Sequence, residues 1–376
     1  MNLILAIIVS IAVLSFYVGT NYYFAKTAYQ WLNLFLPNIN GKIFAVIYTF
    51  IASSMFLSFL PIPYGIKKIV SWVGAYWVGV YAYLLILIPL ACLIVLLKPN
   101  FHFHAGLIVV LLIAGLVGYG TYKANLLKHV SYEIQTKKSA FSGNMKIVLI
   151  SDLHLGAVNS EKNFPKIIQG INNLKPDIVC IVGDIFNDDL NLIKNPAKVM
   201  DLLKSINAKH GVYASLGNHD GGKTFNEMIR FLEQSNIKLL NDEHVIIDER
   251  LVLIGRVDPS PIGGFGELHR KDITDILSSI NHNLPIVVMD HNPSNLKHYG
   301  NEIDLLLSGH THAGQIFPFN LLTSAIHTVN YGHYQKDSNS PHVIVTSGAS
   351  TWGMPMRVGT DNEIVEIFLN AIVALR

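Results

Sequence analysis

The stretch "LLLSGHTHAGQ", residues 305–315, decides how the C-terminal part of this chain is read. An apolar run, Leu305 to Leu307, stops at Ser308-Gly309, and His310 and His312 follow with only Thr311 between them. On a regular strand, residues two apart share a face. Past the strand end the two imidazoles can converge on one point. The reading therefore predicts a strand near 304–307 that delivers two histidines to a loop.

Other apolar runs end the same way. "VLISDLHLG" (148–156) offers Asp152 and His154, and "IVCIVGDIFND" (178–188) offers Asp184. "VYASLGNHDGG" (212–222) offers Asn218, His219 and Asp220, and "IVVMDHNPS" (286–294) offers His291. Each pattern alone has an ordinary explanation: Gly-Asp is a common turn, and Asp can cap the next helix. Five such strand ends in one chain are better explained by a single site, because loops leaving sheet strands are where α/β folds place ligands. The donors are oxygen from Asp and Asn and nitrogen from His, with no Cys. Mn²⁺, Fe²⁺ and Zn²⁺ accept such mixed sets, whereas soft-metal sites want thiolates. Two cations sharing a carboxylate would bring a bridging water toward neutral pKa and hold phosphoryl oxygens. That is phosphoester chemistry.

In this order, Asp-x-His, Gly-Asp, Gly-Asn-His-Asp, a later His and Gly-His-x-His resemble the calcineurin-like metallophosphoesterase superfamily over about residues 145–372. The resemblance implies roles. Asp152, His154 and His312 would hold one metal, Asn218, His291 and His310 the other, and Asp184 would bridge them. His219 would contact the phosphate or protonate the leaving group, with Asp220 orienting it or capping a helix. Manganese is the expected metal, with iron or zinc as alternatives. Protein phosphatases of the superfamily carry an Arg soon after the second motif, and residues 183–188 have none. "GHTHAGQ" and "SGASTWGMPMRVG" (347–359) look instead like the membrane-attached bacterial branch of YkuE- and YaeI-like proteins, which usually has Gly where Ala313 stands. Arg357 in the later motif is the candidate substrate contact. "PIGGFG" (261–266) is a candidate loop near the site. His327 and His333 receive no role.

Around these motifs the pattern is α/β. Strands are expected at 146–150, 178–182, 212–216, 245–247, 251–254, 286–289, 304–307, 343–346 and 364–368. Helices are expected over 161–174 and near 196–206, 224–235 and 271–280. The expected architecture is a two-sheet β-sandwich flanked by helices, one domain over 140–376.

Residues 1–130 differ in kind. No Asp or Glu precedes Glu133, and residues 1–132 hold only seven basic residues: Lys26, Lys42, Lys67, Lys68, Lys98, Lys123 and Lys128. The remainder carries 21 basic and 26 acidic residues, so the formal charge of +2 is unevenly divided. The chain is 51% hydrophobic with a mean hydropathy of +0.37. Spans need roughly 20 apolar residues. About four transmembrane helices are expected, over about 3–24, 43–62, 72–97 and 105–124, with Trp31, Trp72 and Trp77 near span ends. The first lacks a basic n-region and reads as a retained helix rather than a cleaved signal. "FHFH" (101–104) reads as a loop between spans. Lys67, Lys68, Lys123, Lys128, Lys137 and Lys138 would share one side, against Lys26, Lys42 and Lys98, which places the C-terminal domain in the cytoplasm at the inner membrane. Cys92 and Cys180 form no disulfide framework.

The expected function is a membrane-bound phosphohydrolase acting on a phosphodiester or pyrophosphate, in a lipid-linked substrate such as a UDP-diacylglucosamine-like molecule, which some relatives process. The lipid bilayer is an expected partner and nucleic acid is not. The competing classes are a decayed scaffold or sensor, which should lack ligands, and a transporter, whose spans should hold buried acids.

Overall fold

A computed structural model describes residues 3–136, 138, 140–159 and 163–372. The chain divides into two compact units, Met1–Tyr119 and Gly120–Arg376. Lys137 and residues 161–162, where a topology-setting lysine and a helix start were expected, lie outside the described residues, as do 373–376.

The first unit is helical: α1 (Leu3–Leu32), α2 (Gly41–Leu57) and α3 (Tyr64–Leu97), with α4 (His102–Ala124) carrying the chain into the second unit. Among the described residues, three segments are long and apolar enough to cross a membrane: Ile7–Leu32, Tyr64–Leu97 and Pro99–Ala124. The fourth expected span, over 43–62, is helical only as α2, which has 17 residues. Asn40 starts it by accepting from the backbone N–H of Lys42 and Ile43. At 1.5 Å per residue it reaches about 25 Å, short of a hydrocarbon core of about 30 Å. The segment expected from residue 72 begins earlier, at Tyr64. Trp77 is therefore not at a span end: it is buried within α3 and donates to Tyr17 Oη at 3.0 Å. "FHFH" is not a free loop either, since α4 starts at His102.

Among its described residues the second unit contains two six-stranded sheets. The first runs β1 (Leu127–Thr136), β12 (Asn362–Ala371), β2 (Asn144–Ile150), β3 (Ile178–Val182), β4 (Val212–Ser215) and β5 (Ile237–Leu239). The second runs β10 (Gly332–Tyr334), β11 (His342–Val345), β9 (Leu305–Ser308), β8 (Ile286–Met289), β7 (Leu251–Gly255) and β6 (Glu243–Ile247). β2 to β5 are mutually parallel, as are β7, β8, β9 and β11. The central strands are unbroken apolar runs because both faces are covered. Ile147 and Leu149 point into the core between the sheets, with Leu253, Val287, Leu305 and Leu307 from the other sheet. Val148 and Ile150 point outward against α5 (Phe164–Leu174), α6 (Pro196–Lys204) and α7 (Phe225–Gln234). Leu306 and Val288 pack outward with α8 (Ile273–Leu277). The resulting layers are helix, sheet, sheet, helix. Four elements were not anticipated: β1, β5, β10 and α9 (Phe319–Ile326). β1 pairs in parallel with the C-terminal β12 over ten residues, from Leu127↔Asn362 to Thr136↔Ala371.

Candidate metal centre

The parallel strands all release their C-terminal ends toward one place. β2 is followed by Asp152 and His154, β3 by Asp184, and β4 by Asn218 and His219. From the other sheet, β8 is followed by His291, and β9 by His310 and His312. The loops turn sharply there. Asp152, His154, Asp184, His310 and His312 hold φ of 54°, 44°, 51°, 72° and 49°. Non-glycine residues adopt this left-handed region rarely and at a cost, which the surrounding packing must impose. Gly309 permits the closest approach: a Cβ there would lie 2.7 Å from Ser151 Cβ and closer still to Ser151 Oγ and the Asp152 carboxylate.

Two clusters form. Asp152, His154 and His312 offer ligand atoms within 4.8 Å of one another, and so do Asp184, His291 and His310. In the first, His312 Nε2 is 3.2 Å from Asp152 Oδ1 and 3.1 Å from His154 Nε2. In the second, His291 Nε2 is 3.2 Å from Asp184 Oδ2, the oxygen that also lies 3.6 Å from His154 Nε2. Asp184 therefore stands between the clusters. Asn218 Oδ1 joins the second through His310 Nδ1 at 2.9 Å. Backbone N–H groups hold the carboxylates: His219 donates to Asp184 Oδ1 at 2.8 Å, and His310 to Asp152 Oδ2 at 3.1 Å.

The donor set fits divalent cations. His291 Nδ1 lies 2.9 Å from the Val182 carbonyl, which can only accept, so Nδ1 carries a hydrogen. That leaves the buried Nε2 without a hydrogen-bond partner, facing a carboxylate oxygen. Two lone pairs so placed need a proton or a cation between them. Burial alone would raise the Asp152 and Asp184 pKa values, but the neighbouring histidines hold both below the usual carboxylate range. Burial, reinforced by neighbouring histidines, pulls His310 and His312 down to about 4, which keeps them neutral and able to ligate. His291 differs. Burial lowers its pKa, the Asp184 charge overrides this, and the net shift is well upward, so an entering cation displaces that proton.

His219 sits beside the clusters, its ring 5.1 Å from that of His154. Its partner is Asp188, whose Oδ1 is 2.9 Å from Nδ1. Burial lowers the His219 pKa, but this hydrogen bond and the charges of Asp184 and Asp188 prevail and raise it. Asp220 does not orient His219. Its buried carboxylate accepts from the N–H of Phe186 and of Gly217, each at 2.8 Å, tying the loops after β3 and β4 together. Burial and the Asp184 charge push Asp220 up to about 7. Arg357 is also placed differently from the expected substrate contact. It is 0% exposed and donates to the carbonyls of His312 (2.8 Å), Ser347 (2.6 Å) and Ser350 (2.6 Å) and to Asn362 Oδ1 (2.7 Å). An enclosed guanidinium with these bonds braces the His312 loop and reaches no substrate.

A cavity of about 550 Å³ opens over the clusters. His154, Asp184, Asn218, His219, His310 and His312 line its floor, and Ile262, Phe319, Trp352 and Met354 line its mouth. Ile262 comes from the glycine-rich 261–266 loop, where its N–H donates to the Asn218 carbonyl at 2.8 Å. His327, unassigned from sequence, also lines the cavity and bonds Ser294 Oγ at 3.1 Å.

Fold and site point to one class, and residues 145–314 match the calcineurin-like phosphoesterase family. Among curated proteins it is similar to an "Uncharacterized metallophosphoesterase" of Helicobacter pylori, 30% identical over 60% of each chain. It is also similar to a "Transmembrane protein with metallophosphoesterase domain" of Danio rerio, 29% identical over 71% of this chain and 63% of that one. The "Uncharacterized metallophosphoesterase YkuE" of Bacillus subtilis is 28% identical over 67% of this chain and 84% of its own. The chain spans about three fifths of the length of the Helicobacter pylori relative.

Proposed function

We propose that this chain is a membrane-anchored phosphohydrolase with a dinuclear metal centre, cleaving a phosphodiester or pyrophosphate bond. The observation that carries the reading is the pair of ligand clusters meeting at Asp184 on the floor of one cavity, with His219 beside them. Asp152, His154 and His312 would hold one cation, Asn218, His291 and His310 the other, and Asp184 both. Manganese suits the oxygen and imidazole donors, as do iron and zinc. Bound there, such a pair supplies Lewis acidity toward the phosphoryl oxygens and makes water nucleophilic near neutral pH.

The protein's own groups do the rest. With Nδ1 held by Asp188, His219 has Nε2 left for the substrate. Water adds to phosphorus and gives up one proton to solvent, the bond to the leaving oxygen breaks, and His219 gives that oxygen a proton, which it regains from solvent. Ile262, Phe319, Trp352 and Met354 at the mouth favour a substrate with an apolar part, which supports a lipid-linked ester.

The proposed location is the cell membrane, with the catalytic unit on the cytoplasmic face. Lysine placement supports this whether or not α2 crosses. If it crosses, Lys67, Lys68, Lys123 and Lys128 share the catalytic side; if it does not, Lys42 joins them, and Lys98 faces away in both cases.

The test is hydrolysis of bis-p-nitrophenyl phosphate by the detergent-solubilised full chain, with and without Mn²⁺, beside Asp184→Asn. Manganese-dependent turnover that the variant loses is the expected result. A full complement of bound metal without turnover on this ester or on nucleotide-linked lipids would refute the reading.

A further inference from the structure

The chain between Asp304 and Lys336 contains no Asp, Glu, Lys or Arg. Its first part, Leu305 to Ser308, is the buried strand β9, for which lack of charge is expected. The part around α9 is not buried. No residue of α9 is buried, and Phe317, Leu321, Leu322 and Ile326 are each more than half exposed, Ile326 at 66%. Phe319, on the same helix, lines the mouth of the catalytic cavity, where Trp352 is also about half exposed. A soluble surface does not ordinarily leave such a contiguous set uncovered and without a charge among it.

The same surface is tied to the end of a membrane-capable helix. Residues 120–124 close the segment Pro99–Ala124 and belong to the catalytic unit. Gly120 O accepts from Arg357 N at 2.9 Å, and Ala124 O accepts from Asn362 Nδ2 at 2.7 Å. One residue on from Arg357, Val358 O accepts from Phe317 N at 2.8 Å. The segment that receives the end of α4 thus also holds the start of the apolar surface.

We infer that α9 and Phe317 form a second, interfacial membrane contact, laid into the headgroup and acyl boundary of a phospholipid bilayer so that the mouth of the catalytic cavity opens at the lipid surface. Interfacial helices bury their apolar residues about 5–10 Å into that boundary. Phe317, Leu321, Leu322 and Ile326 supply the inserted side chains, while Phe319 and Thr323 stay with the cavity. The contact deepens the proposed function and rests on its membrane anchoring. It explains how a phosphoester whose apolar chains remain in the bilayer reaches the metal clusters without leaving it.

Depth-dependent quenching tests this on the full chain in phospholipid vesicles. In a Cys92→Ser background the remaining thiol, Cys180, is buried and does not label. An environment-sensitive fluorophore is placed at Leu322→Cys, and separately at Ile326→Cys in case one variant folds poorly. Leu111→Cys, on the exposed face of α4, reports spanning, and Ile246→Cys, on the edge strand β6, is the control. The expected result with spin-labelled lipids is loss of fluorescence at 322, 326 and 111 and none at 246. Quenching at 111 but not at 322 or 326 overturns the α9 contact and leaves the anchor standing. No quenching at 111 removes the anchor and the inference together. Quenching at 246 as well overturns a contact specific to α9. Disulfide formation between copies through 322 without quenching assigns the surface to a second copy of the chain and overturns it too.

Discussion

Gly309→Ala is the sharpest test of how the centre is built. The added Cβ would stand 2.7 Å from Ser151 Cβ and nearer to the Asp152 carboxylate, and carbon atoms pack at about 3.5–4.0 Å. The backbone of Gly309, the Ser151-Asp152 turn, or both must therefore move by about 1 Å. Both sides carry ligands: His310 follows Gly309, and Asp152 accepts from His310 N–H. A misplacement of about 1 Å costs on the order of 10²-fold in rate, equivalent to about 2.7 kcal/mol of transition-state stabilisation. The overpacking adds about 1–3 kcal/mol of instability. The assay is bis-p-nitrophenyl phosphate hydrolysis across a manganese titration, with thermal melting in parallel. Gly115→Ala, whose Cβ meets nothing within 4 Å, is the control. We expect kcat/KM to fall by about 10²-fold, with the manganese midpoint moved upward and the fold retained. Wild-type turnover at an unchanged midpoint would refute the argument that the two sheets meet at this glycine to set the ligands.

Four further outcomes follow from the same geometry. Asp188→Asn removes the carboxylate at His219 Nδ1; kcat should fall by up to about 10²-fold with metal content by elemental analysis unchanged. Asp220→Asn, which turns one acceptor away from Phe186 or Gly217 N–H, should instead lower the melting temperature, at a cost of about 1–3 kcal/mol. Arg357→Met strands the buried carbonyls of His312 and Ser347 and the half-buried one of Ser350, and should cost about 3–5 kcal/mol in denaturant unfolding, while KM of the folded fraction stays unchanged. Chelation should abolish turnover and lower the melting temperature, and manganese at about 100 times its Kd should restore about 2.7 kcal/mol of stability.

Much of the site could be read from sequence because each ligand follows directly on an apolar run. Val179 to Val182 and Leu305 to Leu307 are wholly buried, so their ends are sharply marked and the polar residue after them stands out. Asp188 offers no such mark. It lies four residues after Asp184 in a turn, and only the fold brings it to His219, 31 residues on. Arg357 shows the converse problem: a charged side chain in a loop reads as exposed unless the carbonyls that enclose it are known. β1 carries a strand signal in the alternation of Val130, Tyr132 and Ile134, but it follows closely on an apolar helix and its partner, β12, lies at the other end of the chain. The short α2 was overread since hydropathy continues through Phe59 and Leu60, while the helix stops at Leu57 ahead of Pro61 and Pro63.

The ligand sets divide unevenly between the two sheets. Asp152 and His154 leave one sheet and are matched by His312 from the other; Asp184 and Asn218 leave the first and are matched by His291 and His310 from the second. Each cation would then be riveted across the seam, with at least one ligand on either side. Apolar contacts, which lack direction, fill the space between the sheets, and a few hydrogen bonds, such as that from His291 Nδ1 to the Val182 carbonyl, join them. Metal supply would thereby govern how firmly the catalytic unit is closed as well as whether it can react. A protein short of its metal would be looser, with its histidine-bearing loops the first to be cut by a protease.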